Sequence, residues 1–173
     1  MEDRHYIEIN PLEKESEILS LFKEYGPKSF GKNDNGFDWI EEEDSRCVVF
    51  FNPYCDNNLE INIGDMGEFT VYFGNHHSHF WAYQDDYEYM LDLIKKILLN
   101  ETCGAELKDA AEKWFGSSYF DKTEIDKDPV ELFDFCFKEK EFHEHLNKSG
   151  YSVCFSFWNP VDNRTKTIPA GRC

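Results

Sequence analysis

The residues with the plainest chemical capacity are three histidines in a run of four, His76-His77-Ser78-His79. On an extended segment, side chains two apart leave from the same face, so His77 and His79 would point together, as two ligands of one metal on a sheet must. Glu68 or Asp85 could complete such a set. The spacing suits a second use as well, imidazoles at a strand end that hydrogen-bond nearby backbone. Two histidines without a fixed third ligand leave both readings open. Another pair, His143 and His145, falls among Glu141 and Glu144 on a predicted helix. A zinc-protease helix needs its histidines four apart. At a spacing of two they splay, which predicts a solvated face.

Other reaction types lack their groundwork. There is no G-x-S-x-G elbow, and no cysteine stands in a Cys/His signature. Gly64, Gly67 and Gly74 are spaced as turns, not as a phosphate-binding loop. The chain holds 35 acidic residues, so neighbouring carboxylates arise by chance and identify no acid–base pair. Neither an enzyme nor a cofactor is expected.

The acids say more as surface. Asp85-Asp86 opens a predicted helix, where negative charge complements the helix dipole. Asp121, Glu124, Asp126 and Asp128 crowd one connection. Glu41-Glu42-Glu43-Asp44 instead precedes a strand, with Phe37 and Trp39 close by. Charge for encounter beside aromatic anchors is the composition of a binding surface. Trp39, Glu41, Glu42, Glu43 and Asp44 are therefore the candidate partner-binding residues, the alternative being a solvated loop.

Composition bounds the partners. The 173 residues fit one domain and can bury a core, which 16 Phe, 9 Tyr and 4 Trp should make aromatic. With 18 Lys and Arg against 35 Asp and Glu, the net charge is −17. Such a charge repels nucleic acid and anionic membranes and draws cationic proteins by long-range steering. The start of the chain is polar and no apolar run reaches a membrane span, so neither a signal peptide nor a transmembrane helix is expected. Cys47, Cys55, Cys103, Cys136, Cys154 and Cys173 include no C-x-x-C pair, which fits reduced thiols in a cytoplasmic protein.

The elements that must position these residues read as α+β. A first helix is predicted over about Pro11–Tyr25, capped by Asn10, with Ile18, Leu21, Phe22 and Tyr25 on one face. Residues 28–44 read as loop. Strands are expected at Arg46–Tyr54, Leu59–Ile63 and Glu68–Phe73, the last two a hairpin. Asp85 and Glu88 have capping-box spacing for a second helix whose stripe is Tyr87, Met90, Leu91, Ile94, Ile97 and Leu98. Two strands are favoured between Cys103 and Phe120. A third helix is predicted from Asp128-Pro129 to about Lys148, ending at Gly150. A final hairpin pairs Tyr151–Trp158 with Arg164–Ile168. The expected fold is a single domain over residues 1–173, a largely antiparallel sheet packed by about three helices.

The segment Gly67-Glu68-Phe69-Thr70-Val71-Tyr72-Phe73-Gly74, followed by His76-His77-Ser78-His79-Phe80, resembles bacterial immunity proteins of polymorphic toxin systems. The resemblance is strongest over about Leu59–Leu99 and near Phe155-Ser156-Phe157-Trp158, about a third of the chain. It implies a cytosolic inhibitor that binds a basic toxin domain, a nuclease among the options, through acidic residues. It transfers no catalytic residue and no individual contact position.

Overall fold

The computed structural model describes residues 7–34, 36–37, 40, 43–64 and 67–171. The chain gathers into two compact units, Met1–Phe73 with His77–Lys95 and Gly74–His76 with Lys96–Cys173. Each has its own antiparallel sheet, so the expected α+β class holds. The unit boundaries fall at the head of one strand and inside one helix. No linker composition marks them, which is why the sequence reads as undivided.

The first unit is a meander of β1 (Lys28–Gly31), β2 (Arg46–Phe50), β3 (Leu59–Ile63), β4 (Glu68–Phe73) and β5 (His76–Trp81), hydrogen-bonded in that order. Alternation decides its faces. Val48, Phe50, Leu59, Ile61, Ile63, Phe69, Val71 and Phe73 share one face and are buried. It is covered by α1 (Glu15–Leu21) and α2 (Gln84–Leu98): Phe22 meets Phe50 edge-on at 5.7 Å, and Tyr87 lies 5.4 Å from Phe69. On the opposite face, Cys47 and Val49 are covered by Ile40, with Phe30 and Phe37 packed against them. The β3–β4 turn depends on Gly64, at φ +87°, where a Cβ would strike the Leu12 side chain at 2.6 Å.

Three local expectations change here. The first helix has a short α segment between 3-10 turns at Pro11–Lys14 and Lys23–Tyr25, so its apolar stripe does not run through. Ile18 and Phe22 are buried while Leu21 is 56% exposed. Asn10 does cap the start, accepting from the Leu12 N–H at 3.1 Å. The stretch read as loop contains β1, an edge strand held by its pairing with β2. The second helix starts at Gln84, which puts Asp85 in the first turn instead of at the cap. Asp86 accepts from the Trp81 N–H at 3.2 Å, and Gln84 Nε2 donates to Glu88 at 2.7 Å.

The second unit has a four-stranded sheet in the order β7-β6-β8-β9, where β6 is Thr102–Asp109, β7 Trp114–Asp121, β8 Tyr151–Ser156 and β9 Arg164–Ile168. One face holds Cys103, Ala105, Leu107, Val153 and Phe155, packed with Ile125, Leu132, Phe133, Phe137 and Leu146. The predicted long helix is three short ones, α3 (Pro129–Leu132), α4 (Asp134–Phe137) and α5 (Lys140–Ser149), broken at Phe133 (φ −107°, ψ 37°) and at Glu139 in extended geometry. Geometry explains the breaks. Leu146 follows Phe137 by nine residues, about two and a half turns, so a straight helix would aim the two at opposite sides. Broken, the segment buries both in one core. Asp128 caps it, accepting from the Val130 N–H at 2.8 Å.

Candidate binding surface

Charge is the first property of the folded chain that separates its two units. Met1–Phe73 with His77–Lys95 carries 21 Asp and Glu against 7 Lys and Arg, a net −14. Gly74–His76 with Lys96–Cys173 carries 14 against 11, a net −3. In the second unit the acids are extensively paired: Glu106 with Lys108, Asp162 with Lys122, Glu124 with Lys127, Asp134 with Lys138 and Asp109 with His145. In the first unit bases are outnumbered three to one, and pairs such as Lys14–Glu17 cannot neutralise it.

Within the first unit, the sheet face turned away from the helices carries Glu60, Asn62, Thr70 and Tyr72 in register on β3 and β4. His77 and His79 extend it onto β5. The His77 ring stacks on Tyr72 at 5.3 Å and meets His79 edge-on at 5.1 Å. His79 Nδ1 lies 2.5 Å from Glu68 Oε1 and 3.3 Å from Thr70 Oγ1. Alternation puts Trp81, 63% exposed, on the same side as these histidines. The two expected histidines therefore do project together. Their partners are a carboxylate, a hydroxyl and a phenol ring, and among the described residues no group of three His, Cys, Asp or Glu could hold a metal ion.

Two residues on this face give no signal in the sequence, where polar positions in an alternating strand read simply as solvent-facing. Glu60 is partly buried, and that burial holds its carboxyl above the usual range. Asn62 is 8% exposed, and its Oδ1 has no hydrogen-bond partner. Beside them Cys47 is fully buried, its thiol pushed up to about 12 by burial and by the charge of Glu60. A thiol so protonated is no nucleophile.

Of the five residues expected to touch a partner, Glu43 and Asp44 are exposed. Their backbone carbonyls each accept from Arg46 Nη1 at 3.1 Å, which ties the acidic segment to the start of β2. Trp39, Glu41 and Glu42 lie outside the described residues. Compared with family models, curated proteins and solved structures, the chain finds no match. Its function must therefore be argued from its own side chains.

The second unit has a polar sheet face of its own. Glu106 accepts from Asn75 Nδ2 at 2.7 Å and from Lys108 Nζ at 2.8 Å, and His76 Nδ1 lies 2.8 Å from Ser117 Oγ. The turn at Gly74, φ +64°, lies close over Gly104, and a Cβ on Gly74 would sit 3.2 Å from that of Ser156. A cleft of about 600 Å³ is lined by Lys96, Asn100, Glu101, Asp121 and Lys122. Its Lys122 is held by Asp162 at 2.7 Å, and Asp162 also accepts from Asn100 at 2.5 Å. These groups satisfy one another. Among the described residues no helix is long and apolar enough to cross a membrane.

Proposed function

We propose that this chain is an immunity-type protein that binds and neutralises a basic toxin domain by direct contact, its acidic first unit presented to the cationic partner. The observation that carries the reading is the segregation of charge, with net −14 on one unit and −3 on the other. Solubility alone requires no such separation. A cationic domain gains from it twice, by faster encounter and by orientation onto the acidic unit. Exposed Trp81, Tyr72 and Tyr54 in the same unit supply aromatic anchors next to the charge. The sequence patch Trp39, Glu41, Glu42, Glu43 and Asp44 belongs to that unit and remains the proposed contact.

The test is first whether the upstream reading frame ends in a cationic domain, and then co-expression of this chain with that domain. Rescue from growth arrest and a one-to-one complex are expected, with an association rate that falls steeply as salt rises. Reversing Glu41, Glu42, Glu43 and Asp44 to lysine should slow association and flatten that salt dependence. Absence of rescue together with absence of a complex refutes the proposal. Unchanged kinetics in the four-residue variant remove this patch from the interface.

A further inference from the structure

We infer that the pocket beside Trp81 takes one basic side chain, a lysine or an arginine, of the cationic partner and so anchors the interface. The inference rests on the proposed binding of a cationic protein and names where on the acidic unit that side chain lodges. The pocket is a cavity of about 160 Å³ in the first unit, lined by Glu8, Ile9, Gly67, Trp81, Ala82 and Tyr83. Sites for small molecules and cofactors start at about 300 Å³, so this one has room for a single side chain.

The backbone around the pocket is held on both flanks. Trp81 ends β5, where its N–H donates to Asp86 Oδ2 at 3.2 Å. Its carbonyl accepts from the Tyr83 N–H at 2.7 Å, closing a tight turn over Ala82. The Ala82 carbonyl accepts from the Ile9 N–H, and the Ile7 carbonyl from the Gln84 N–H, each at 2.9 Å. Between them Glu8 stands opposite Tyr83 in an antiparallel bridge. Residues paired in this way send their side chains to the same side, which puts Glu8 next to Tyr83. The walls are thus set before a partner arrives, and little freedom is lost on binding.

The lining selects a cation. Trp81 is 63% exposed, and indole offers a cation the best of the aromatic faces. Two carboxylates are close to it, Glu8 in the same wall and Asp86 at its backbone N–H. Among the described residues neither has a basic partner. An anion would meet both of them inside a unit of net −14. A neutral apolar group would leave them unanswered. A long basic side chain meets every part of the lining, its methylenes on the rings and its charge toward the carboxylates. A tryptophan on a fixed backbone at a pocket is also the kind of residue that dominates binding energy.

The test is an NMR titration of the whole chain with the N-acetyl methylamides of lysine, arginine and norleucine, the last a neutral mimic of lysine. Both cationic probes should shift the Trp81 indole N–H and the amides of Glu8 and Tyr83 along one saturating curve. Norleucine should bind roughly threefold to tenfold more weakly, and Glu8→Gln should weaken the cationic probes alone. The tighter of the two cations identifies the anchoring residue. In the complex with a cationic domain, Trp81→Ala should raise Kd about thirtyfold through faster dissociation, with association rate and salt dependence unchanged. Its urea midpoint should match wild type, because the ring is exposed. Norleucine binding as tightly as lysine overturns the site, as do shifts scattered over the acids of the first unit that survive Trp81→Ala. A cationic domain that leaves Trp81→Ala at the wild-type rate overturns the site and leaves the inhibitor reading standing. Cationic probes saturating the pocket while no cationic domain binds have the reverse meaning.

Discussion

Tyr87 offers a sharp test of how the first unit is held together. Its side chain is fully buried, its ring lies 5.4 Å from Phe69, and Lys14 Nζ sits 4.8 Å above it. The hydroxyl makes no hydrogen bond of good geometry, although the Glu17 carboxylate is near enough to act on it. Burial first, then the negative charge of Glu17 and the pull of its carboxylate on the hydroxyl proton, hold the phenol well above its ordinary range, so it stays protonated at any working pH. The nearer claim on Glu17 is that of Lys14, which binds its Oε2 at 2.9 Å. Tyr87→Phe keeps every ring contact and deletes only the orphaned group. Leaving such a group buried costs about 1–3 kcal/mol. At the low end, and with a urea slope of about 2 kcal/mol/M, the midpoint should rise by about 0.5 M. Tyr87→Ala, which empties the site, should cost about 3–5 kcal/mol. Urea unfolding followed by circular dichroism measures both. A Tyr87→Phe variant less stable than wild type by 1 kcal/mol or more would show that the hydroxyl is bonded to Glu17, and the reasoning would fail.

Further outcomes concern the second unit and the thiols. Gly116→Ala places a Cβ 2.5 Å from Cys136 Sγ and should cost about 1–3 kcal/mol, part of which Cys136→Ala in the same chain should recover; equal losses in single and double variants would deny the clash. Asp109 has its carboxyl held below the usual range by His145 and by the N–H groups of Lys113 and Ala111, so its contribution is present above its unfolded pKa of about 3.9 and is lost as pH falls through the folded value. Urea midpoints between pH 6 and pH 2.5 should fall less steeply in Asp109→Asn, and identical slopes would contradict this. Native alkylation at pH 8, read by mass spectrometry, should label Cys55 and Cys154 first and leave Cys47 and Cys103 untouched, since burial pushes each of those two thiols up to about 12.

What the sequence disclosed follows from where each signal originates. β3 and β4 have the bounds that alternation and turn residues predict, because burial of one face writes itself into a period of two, and β9 has the bounds expected of the return strand after the turn at residues 159–163. β1 has one apolar residue in Lys28-Ser29-Phe30-Gly31 and exists through its partner β2, a non-local cause. Local propensity favours one helix over Asp128–Lys148, and the demand that Phe137 and Leu146 reach the same core overrides it. The candidate surface was legible in kind, since the acid surplus and the paired histidines are visible in the letters. Its segregation into one unit was not, because the units divide inside β5 and α2. The burial of Glu60 and Asn62 is illegible in the sequence for a related reason. A polar residue on an alternating strand looks solvated until neighbouring strands and their coverings are in place.

The crowding of carboxylates on the first unit makes dissolved salt act in two opposed directions. Counterions relax the mutual repulsion within that unit, so the free protein should grow more robust as ionic strength rises. The same ions would weaken the grip on a cationic partner of the kind proposed. In dilute buffer the molecule is thus under its greatest internal stress, and such a partner would relieve that stress by supplying positive charge.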